Sequence, residues 1–229
     1  LWFDVPHRPT RDADFLGFGP MDVEALASTI REICSVAADD GMVYEPDSVT
    51  VEEIREEARY GGLRVRLVGK LGNARCGVQL DVGYGDAVTP GPQEAIYPTL
   101  LDSLPPPRLR VYPRAAVVAE KLEAIVNLGM ANSRMKDYFD LRALAREGEL
   151  DAGQVAEAIV ATFQRRGTRV PAGIPLGLSD EFARDVAKLR QWKAFLGKNR
   201  LEAPTLEETV AEVRHFVAEP LALARKQGA

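Results

Sequence analysis

Apolar and polar residues alternate along much of the first hundred positions. Leu63, Val65 and Leu67 are separated by Arg64 and Arg66, the period-two pattern of a strand with one buried face. Residues 48–54, 63–69 and 76–82 read as strands, and Gly72-Asn73 is the turn signal between the last two. Residues 1–18 read as an extended approach and a short strand ending in Phe15-Leu16-Gly17. Gly19-Pro20 then breaks the chain, and Asp22 is placed to cap a helix over 23–38, where Val23, Leu26, Ile30, Ile33 and Val36 recur at helical spacing.

Prolines 90, 92, 98 and 105–107 make residues 88–113 an irregular connector. Beyond it the period becomes helical, predicting helices over 114–129, 132–146, 152–166, 180–196 and 206–226. Thr205 and Glu208 have capping-box spacing, and Pro220 is expected to kink or split the last helix. The pattern predicts an α+β chain with a sheet domain over 1–110 and a helical domain over 111–229.

Composition narrows the class. The 229 residues are 46% hydrophobic, enough for a sizeable core, and no apolar run approaches the ~20 residues of a bilayer span. No signal-peptide pattern opens the chain, so a cytoplasmic protein without membrane partners is expected. Cys34 and Cys76 match no metal spacing and read as reduced thiols, and two histidines are too few for an imidazole-based zinc site. The net charge of -5 disfavours bulk nucleic-acid binding. It is unevenly spread, however: residues 39–57 carry a net of -7, with eight acids and one base. Residues 182–200 carry a net of +5, with six bases and one acid. An enzyme gripping a polyanion at one end would show this asymmetry, and so would solvated helix faces.

Strand geometry puts alternate residues on one face, so Arg8, Thr10, Asp12 and Asp14 are expected to project together. Two carboxylates that close repel unless a cation separates them, and magnesium suits hard oxygen ligands. Asp-x-Asp alone equally fits an exposed turn. A third acid, Asp81, interrupts the apolar alternation Val78, Leu80, Val82 and needs a partner. If its strand neighbours the first, Asp12, Asp14 and Asp81 become a triad for two metal ions, with Asp81 as general base or ligand. In the helical half, Glu120-Lys121 lies in an apolar helix, and Arg134, Asp137, Tyr138 and Leu141 share a face of the next. Basic residues near a helix start suit phosphate, although an ordinary i,i+3 ion pair between Arg134 and Asp137 has the same spacing.

Four separated motifs keep their order: Arg8-x-Thr10-x-Asp12-x-Asp14; Gln79-Leu80-Asp81-Val82-Gly83; Tyr112-Pro113 ahead of Ala119-Glu120-Lys121-Leu122; and Asn132-Ser133-Arg134-x-Lys136-Asp137-x-x-Asp140-Leu141. Over residues 1–145 the chain resembles the AbiEii/AbiGii toxin family, nucleotidyltransferase-like proteins of the DNA polymerase β superfamily. The resemblance implies a polymerase-β-type mixed sheet with flanking helices, followed by a helical C-terminal part. It implies transfer of a nucleotidyl group from a nucleoside triphosphate with Mg2+ or Mn2+, and the role of toxin in a toxin–antitoxin or phage-defence pair with a cognate antitoxin.

Carried over by position, Asp12 and Asp14 are the metal pair and Asp81 the third carboxylate. Lys121 and Asp137 would act on the triphosphate or acceptor, with Arg8, Thr10, Arg134 and Lys136 as further nucleotide contacts. The family's glycine turn upstream of the paired acids is absent, since Leu1 stands eleven residues before Asp12, and a missing N-terminal segment is expected. Of the acceptors, a tRNA 3′ end is favoured by the basic stretch, with a protein hydroxyl next. A degenerate nucleotide-binding or regulatory module is the second reading; a two-metal nuclease ranks last because it gives Lys121 and Asp137 no task.

Overall fold

The computed structural model describes residues 7–10, 13–55, 61–85, 88–99, 103–148 and 150–227. The chain divides into two compact units, one spanning Thr10–Asp86 and the other Leu1–Pro9 together with Ala87–Ala229. The proline-rich stretch falls in the same compact unit as the helices.

The first unit is a mixed sheet with one helix. Its strands are β1 (Ala13–Gly17), β2 (Met42–Tyr44), β3 (Thr50–Arg55), β4 (Gly61–Leu71) and β5 (Ala74–Tyr84). The order is β1-β5-β4-β2, with β3 also pairing β4. β4 and β5 form a long antiparallel hairpin turning at Gly72, whose φ of 56° is easy only for a residue without Cβ. β1 runs parallel to β5. Helix α1 (Val23–Cys34) starts where Asp22 accepts the Ala25 amide at 3.0 Å. It stops at Cys34, short of the predicted 38, because Val36 finds no core and stays 69% exposed. Ile30 and Cys34 pack on Val49, Val65 and Leu67, with Val51, Val78 and Leu80 partly buried around them. Alternation therefore assigns one sheet face to α1 and leaves Arg64, Arg66, Gln79 and Asp81 on the other.

The second unit holds a two-stranded ribbon, β6 (Gln93–Ile96) against β7 (Arg108–Val111), inside the stretch predicted to be irregular. Helices α2 (Arg114–Leu128), α3 (Met135–Arg146), α4 (Ala152–Arg166), α5 (Asp180–Arg184), α6 (Val186–Asn199) and α7 (Leu206–Gln227) follow. Leu122, Ile125, Tyr138, Leu141, Ile159, Phe163, Phe182 and Val213 are among the side chains that form its core, each worth about 1.5–3 kcal/mol of burial for the aliphatic and Phe members.

Two helix expectations need correction. The predicted 180–196 helix is split, because Ser179 caps α5 through the Phe182 amide and Asp185 caps α6 through the amides of Ala187 and Lys188. Of the two outcomes expected at Pro220, a split does not occur: α7 runs through it, and the proline is buried on the packing face with Val217, Leu221 and Ala224. Proline there removes one backbone bond, and burial of the surrounding face offsets the loss. The Thr205–Glu208 capping box forms as expected, with reciprocal bonds of 2.9 and 3.2 Å.

Candidate active site

In the sheet unit, the parallel register sets Asp14 directly opposite Asp81. Register partners on neighbouring strands project to the same face from chains about 4.8 Å apart, so the two acids lie side by side. On the far side of Asp81 the partner is Arg64, and beyond it Glu52, giving one charged row across four strands. Arg64 grips Asp81 as a fork, Nε donating to Oδ1 at 2.8 Å and Nη2 to Oδ2 at 2.6 Å. The Gln79 amide adds a longer bond to Oδ1 at 3.4 Å. Asp14 is exposed, whereas the Asp81 side chain is only 17% exposed.

Asp12 lies outside the described residues. The remaining two residues of its motif do not extend the strand face. β1 begins at Ala13, and Pro9 has no amide with which to continue a ladder back towards Arg8. Thr10 is exposed, and Arg8 is engaged within the helical unit.

That second constellation is built on α2 and α3. Lys121 of α2 donates to Asp137 Oδ1 at 3.2 Å and to Asp140 Oδ2 at 2.7 Å, residues one turn apart on α3. Arg134 donates to Asp137 Oδ2 at 2.7 Å, the i,i+3 pair that the spacing allowed. Asp140 receives the Arg8 guanidinium on both oxygens, at 2.6 and 2.8 Å, and His7 Nε2 lies 2.9 Å from Oδ1. The His7 ring also stacks on Phe139 at 5.9 Å. Asp137 is fully buried and Asp140 nearly so, a placement that carboxylates tolerate only when paired and hydrogen-bonded.

Electrostatics follow from this crowding. Burial alone would raise the Asp140 pKa, but bonds from Arg8 and His7 and the charge of Lys121 carry it well below the ordinary carboxylate range. Burial alone would lower the Lys121 pKa, and Asp140 and Asp137 more than reverse it, so the ammonium is raised above its usual value. The Tyr138 phenol is pushed up by burial and by Asp137, remaining a donor to the Gly177 carbonyl at 2.9 Å.

The approach to α3 is equally fixed. The buried Asn132 accepts the Arg134 amide at 2.8 Å, while its own carbonyl accepts Lys188 Nζ at 2.9 Å. Arg134 and Lys136 then stand exposed at the start of α3, where their charged donors suit phosphate, while the amides of Arg134, Met135 and Asp137 are already bonded. Arg8, Lys121 and Arg134 against Asp137 and Asp140 leave one positive charge in excess before His7 is counted.

Of the expected residues, the sheet unit sets Asp14 opposite Asp81, and the helical unit joins Lys121, Asp137, Arg134 and Arg8. Sequence reasoning did not single out Arg64 or His7, and it named Asp140 as a motif residue without giving it a role. Asp140 was accessible through its i,i+3 spacing from Asp137, whereas the fork of Arg64 depends on strand register. Hard oxygens on two adjacent strands fit Mg2+ or Mn2+. Among the described residues no group of three metal-ligating side chains comes together, the third acid of the motif being Asp12. No described helix is long and apolar enough to cross a membrane.

Comparison with known proteins places the chain. Two crystal structures from Helicobacter pylori are similar to it, each 15% identical and covering 96% of this chain. One, JHP933, is covered over 79% of its length with a TM-score of 0.47; the other, described as a candidate nucleotidyltransferase, over 82% with a TM-score of 0.48. No curated protein matches. The family model for the nucleotidyl transferase AbiEii toxin of type IV toxin–antitoxin systems matches residues 1–218, and the chain belongs to that family.

Proposed function

We propose that this protein is a metal-dependent nucleotidyltransferase that moves a nucleotidyl group from a nucleoside triphosphate to an acceptor hydroxyl, that of a tRNA 3′ end first and of a protein second. The observation that carries the reading is the register of β1 and β5, which sets Asp14 beside Asp81 on the sheet face not covered by α1. In this reading Asp12, Asp14 and Asp81 hold Mg2+ or Mn2+. The bound metal supplies charge stabilisation for the phosphates and activation of the attacking hydroxyl. Asp81 orients that hydroxyl or takes its proton, and Arg64 keeps the Asp81 carboxylate in place.

Within the helical unit, Lys121, Arg134 and Lys136 meet phosphate oxygens; Thr10, in the sheet unit, is a separate nucleotide contact in this reading. Asp137 and Asp140 hold Lys121, Arg134 and Arg8 in fixed orientations, so that little entropy is lost on phosphate binding. A cognate antitoxin is the expected protein partner, and the host cytoplasm the expected setting, consistent with a role in phage defence.

Incubation with each labelled triphosphate and total tRNA, or with cell extract, tests the reading. Asp14→Ala should lower labelling by about 100-fold or more, the scale of losing a charge stabiliser of the transition state. Glu219→Ala, an exposed site on α7, should leave it unchanged. EDTA should abolish labelling and added Mg2+ or Mn2+ restore it. Equal labelling by the wild type and Asp14→Ala would sink the assignment.

A further inference from the structure

The Arg64 fork takes both oxygens of Asp81, the third acid of the proposed metal site. Arg64 sits at register between Asp81 and Glu52, so its charge lies in the same row as Asp14 and Asp81. Its sheet neighbour Arg66 is committed elsewhere, to Glu52 across the strand pair. A bidentate guanidinium uses the inner lone pairs of both carboxylate oxygens, and Gln79 reaches Oδ1 besides. A divalent cation drawing on Asp81 therefore competes with Arg64 for lone pairs and meets its positive charge at short range.

We infer that Arg64 is the resident counter-ion of the Asp14–Asp81 pair, a positioning residue that sets how tightly the site takes a divalent cation. Two physical consequences follow. Without a cation, the arginine neutralises acids that would otherwise repel across neighbouring strands and loosen the β1–β5 pairing. With one, Asp81 exchanges part of the fork for the metal, and the opposing charge keeps affinity for the bare cation low. Firm binding then awaits a metal that arrives with triphosphate, whose negative charge offsets Arg64. The inference rests on the metal-site reading above and gives that site a dependence on nucleotide.

Mn2+ binding to the full chain without nucleotide, followed by electron paramagnetic resonance and calorimetry, tests it. Arg64→Gln removes the charge and should tighten Mn2+ about tenfold, the effect of losing one positive charge about 6 Å from a doubly charged ion in a water-like dielectric. Arg64→Lys keeps the charge without the fork and should tighten it less; Asp81→Asn should weaken it. In the wild type, a non-hydrolysable triphosphate should raise Mn2+ affinity, and in Arg64→Gln much of that gain should vanish. Unchanged or weaker Mn2+ binding by a folded Arg64→Gln overturns the inference, and where that variant does not fold, the same outcome in Arg64→Lys overturns it. Mn2+ binding that is undetectable in wild type and both arginine variants, with or without triphosphate, removes the metal-site reading itself. Weak wild-type binding abolished by Asp81→Asn, with no tightening on arginine substitution, leaves that reading standing and removes only the role of Arg64.

Discussion

Asp140 shows how much one buried side chain can organise. Three basic groups converge on it, from the segment before β1 and from α2, and its pKa is held far below the usual range. Since the folded value lies below the unfolded value, the stabilisation is whole above the ordinary aspartate pKa of 3.8 and is lost as pH falls below it towards the folded value. Lys121 has the opposite sign: its raised pKa stabilises the fold fully below 10.5, and that contribution is lost only at higher pH. Asp140→Asn should therefore cost about 3–5 kcal/mol at neutral pH, because Arg8 and Lys121 lose a buried counter-charge. Denaturant unfolding should show that cost at pH 7 and a smaller one near pH 2, where part of the linkage is already lost; an equal difference at both would refute the electrostatic account. The sequence made Lys121, Arg134 and Asp137 visible as motif members. Burial of Asp140 against His7 and Arg8 was not visible, since nothing local signals a partner more than 130 positions away.

Elements were legible in proportion to their length and periodicity. β4, β5 and the long helices declared themselves, because an amphipathic stripe repeated over several turns or pleats has few alternative meanings. β2, β6 and β7, of three or four residues, did not, and prolines concealed the last two. The break at Asp185 was missed because a continuous apolar period hides a second cap. That break matters to the site, since it starts α6 so that Lys188 is buried, with its Nζ on the Asn132 carbonyl and 5.4 Å from the Phe182 ring centre. Lys188→Met keeps length and ring contact but strands the carbonyl, costing about 1–3 kcal/mol. The melting temperature should fall by about 2–12 °C. Labelling of the acceptor should also fall, because the same loop presents Arg134 through its amide bond to Asn132. A variant melting like wild type would show that the Lys188 bond does not hold the approach to α3.

For the whole chain, the uneven charge reads differently once side chains are placed. Of six bases between 182 and 200, Lys188 is buried on a carbonyl and so closed to a polyanion, while the exposed Arg184 is paired with Glu207. Arg190, Lys193 and Lys198 stand exposed on α6, near the apolar Val186 and Leu189, and no acid occurs from Val186 to Leu201. A chain of net charge -5 gains little from non-specific attraction to RNA, so a tRNA acceptor has to be met by a local cluster. Of the two acceptors proposed, only tRNA gives this helix face a task. Neutralising Arg190, Lys193 and Lys198 together should weaken tRNA binding and flatten its salt dependence, by about 2 in the slope of log affinity against log salt for single-stranded contacts. A control that removes three charges at Arg75, Arg108 and Lys226 makes the same change in net charge elsewhere. If both variants lose affinity equally, the effect is one of overall charge. If only the α6 variant loses it, with its slope, the basic helix is the RNA contact and the tRNA acceptor gains over protein. If neither changes binding while labelling of tRNA persists, the acceptor is held by another surface.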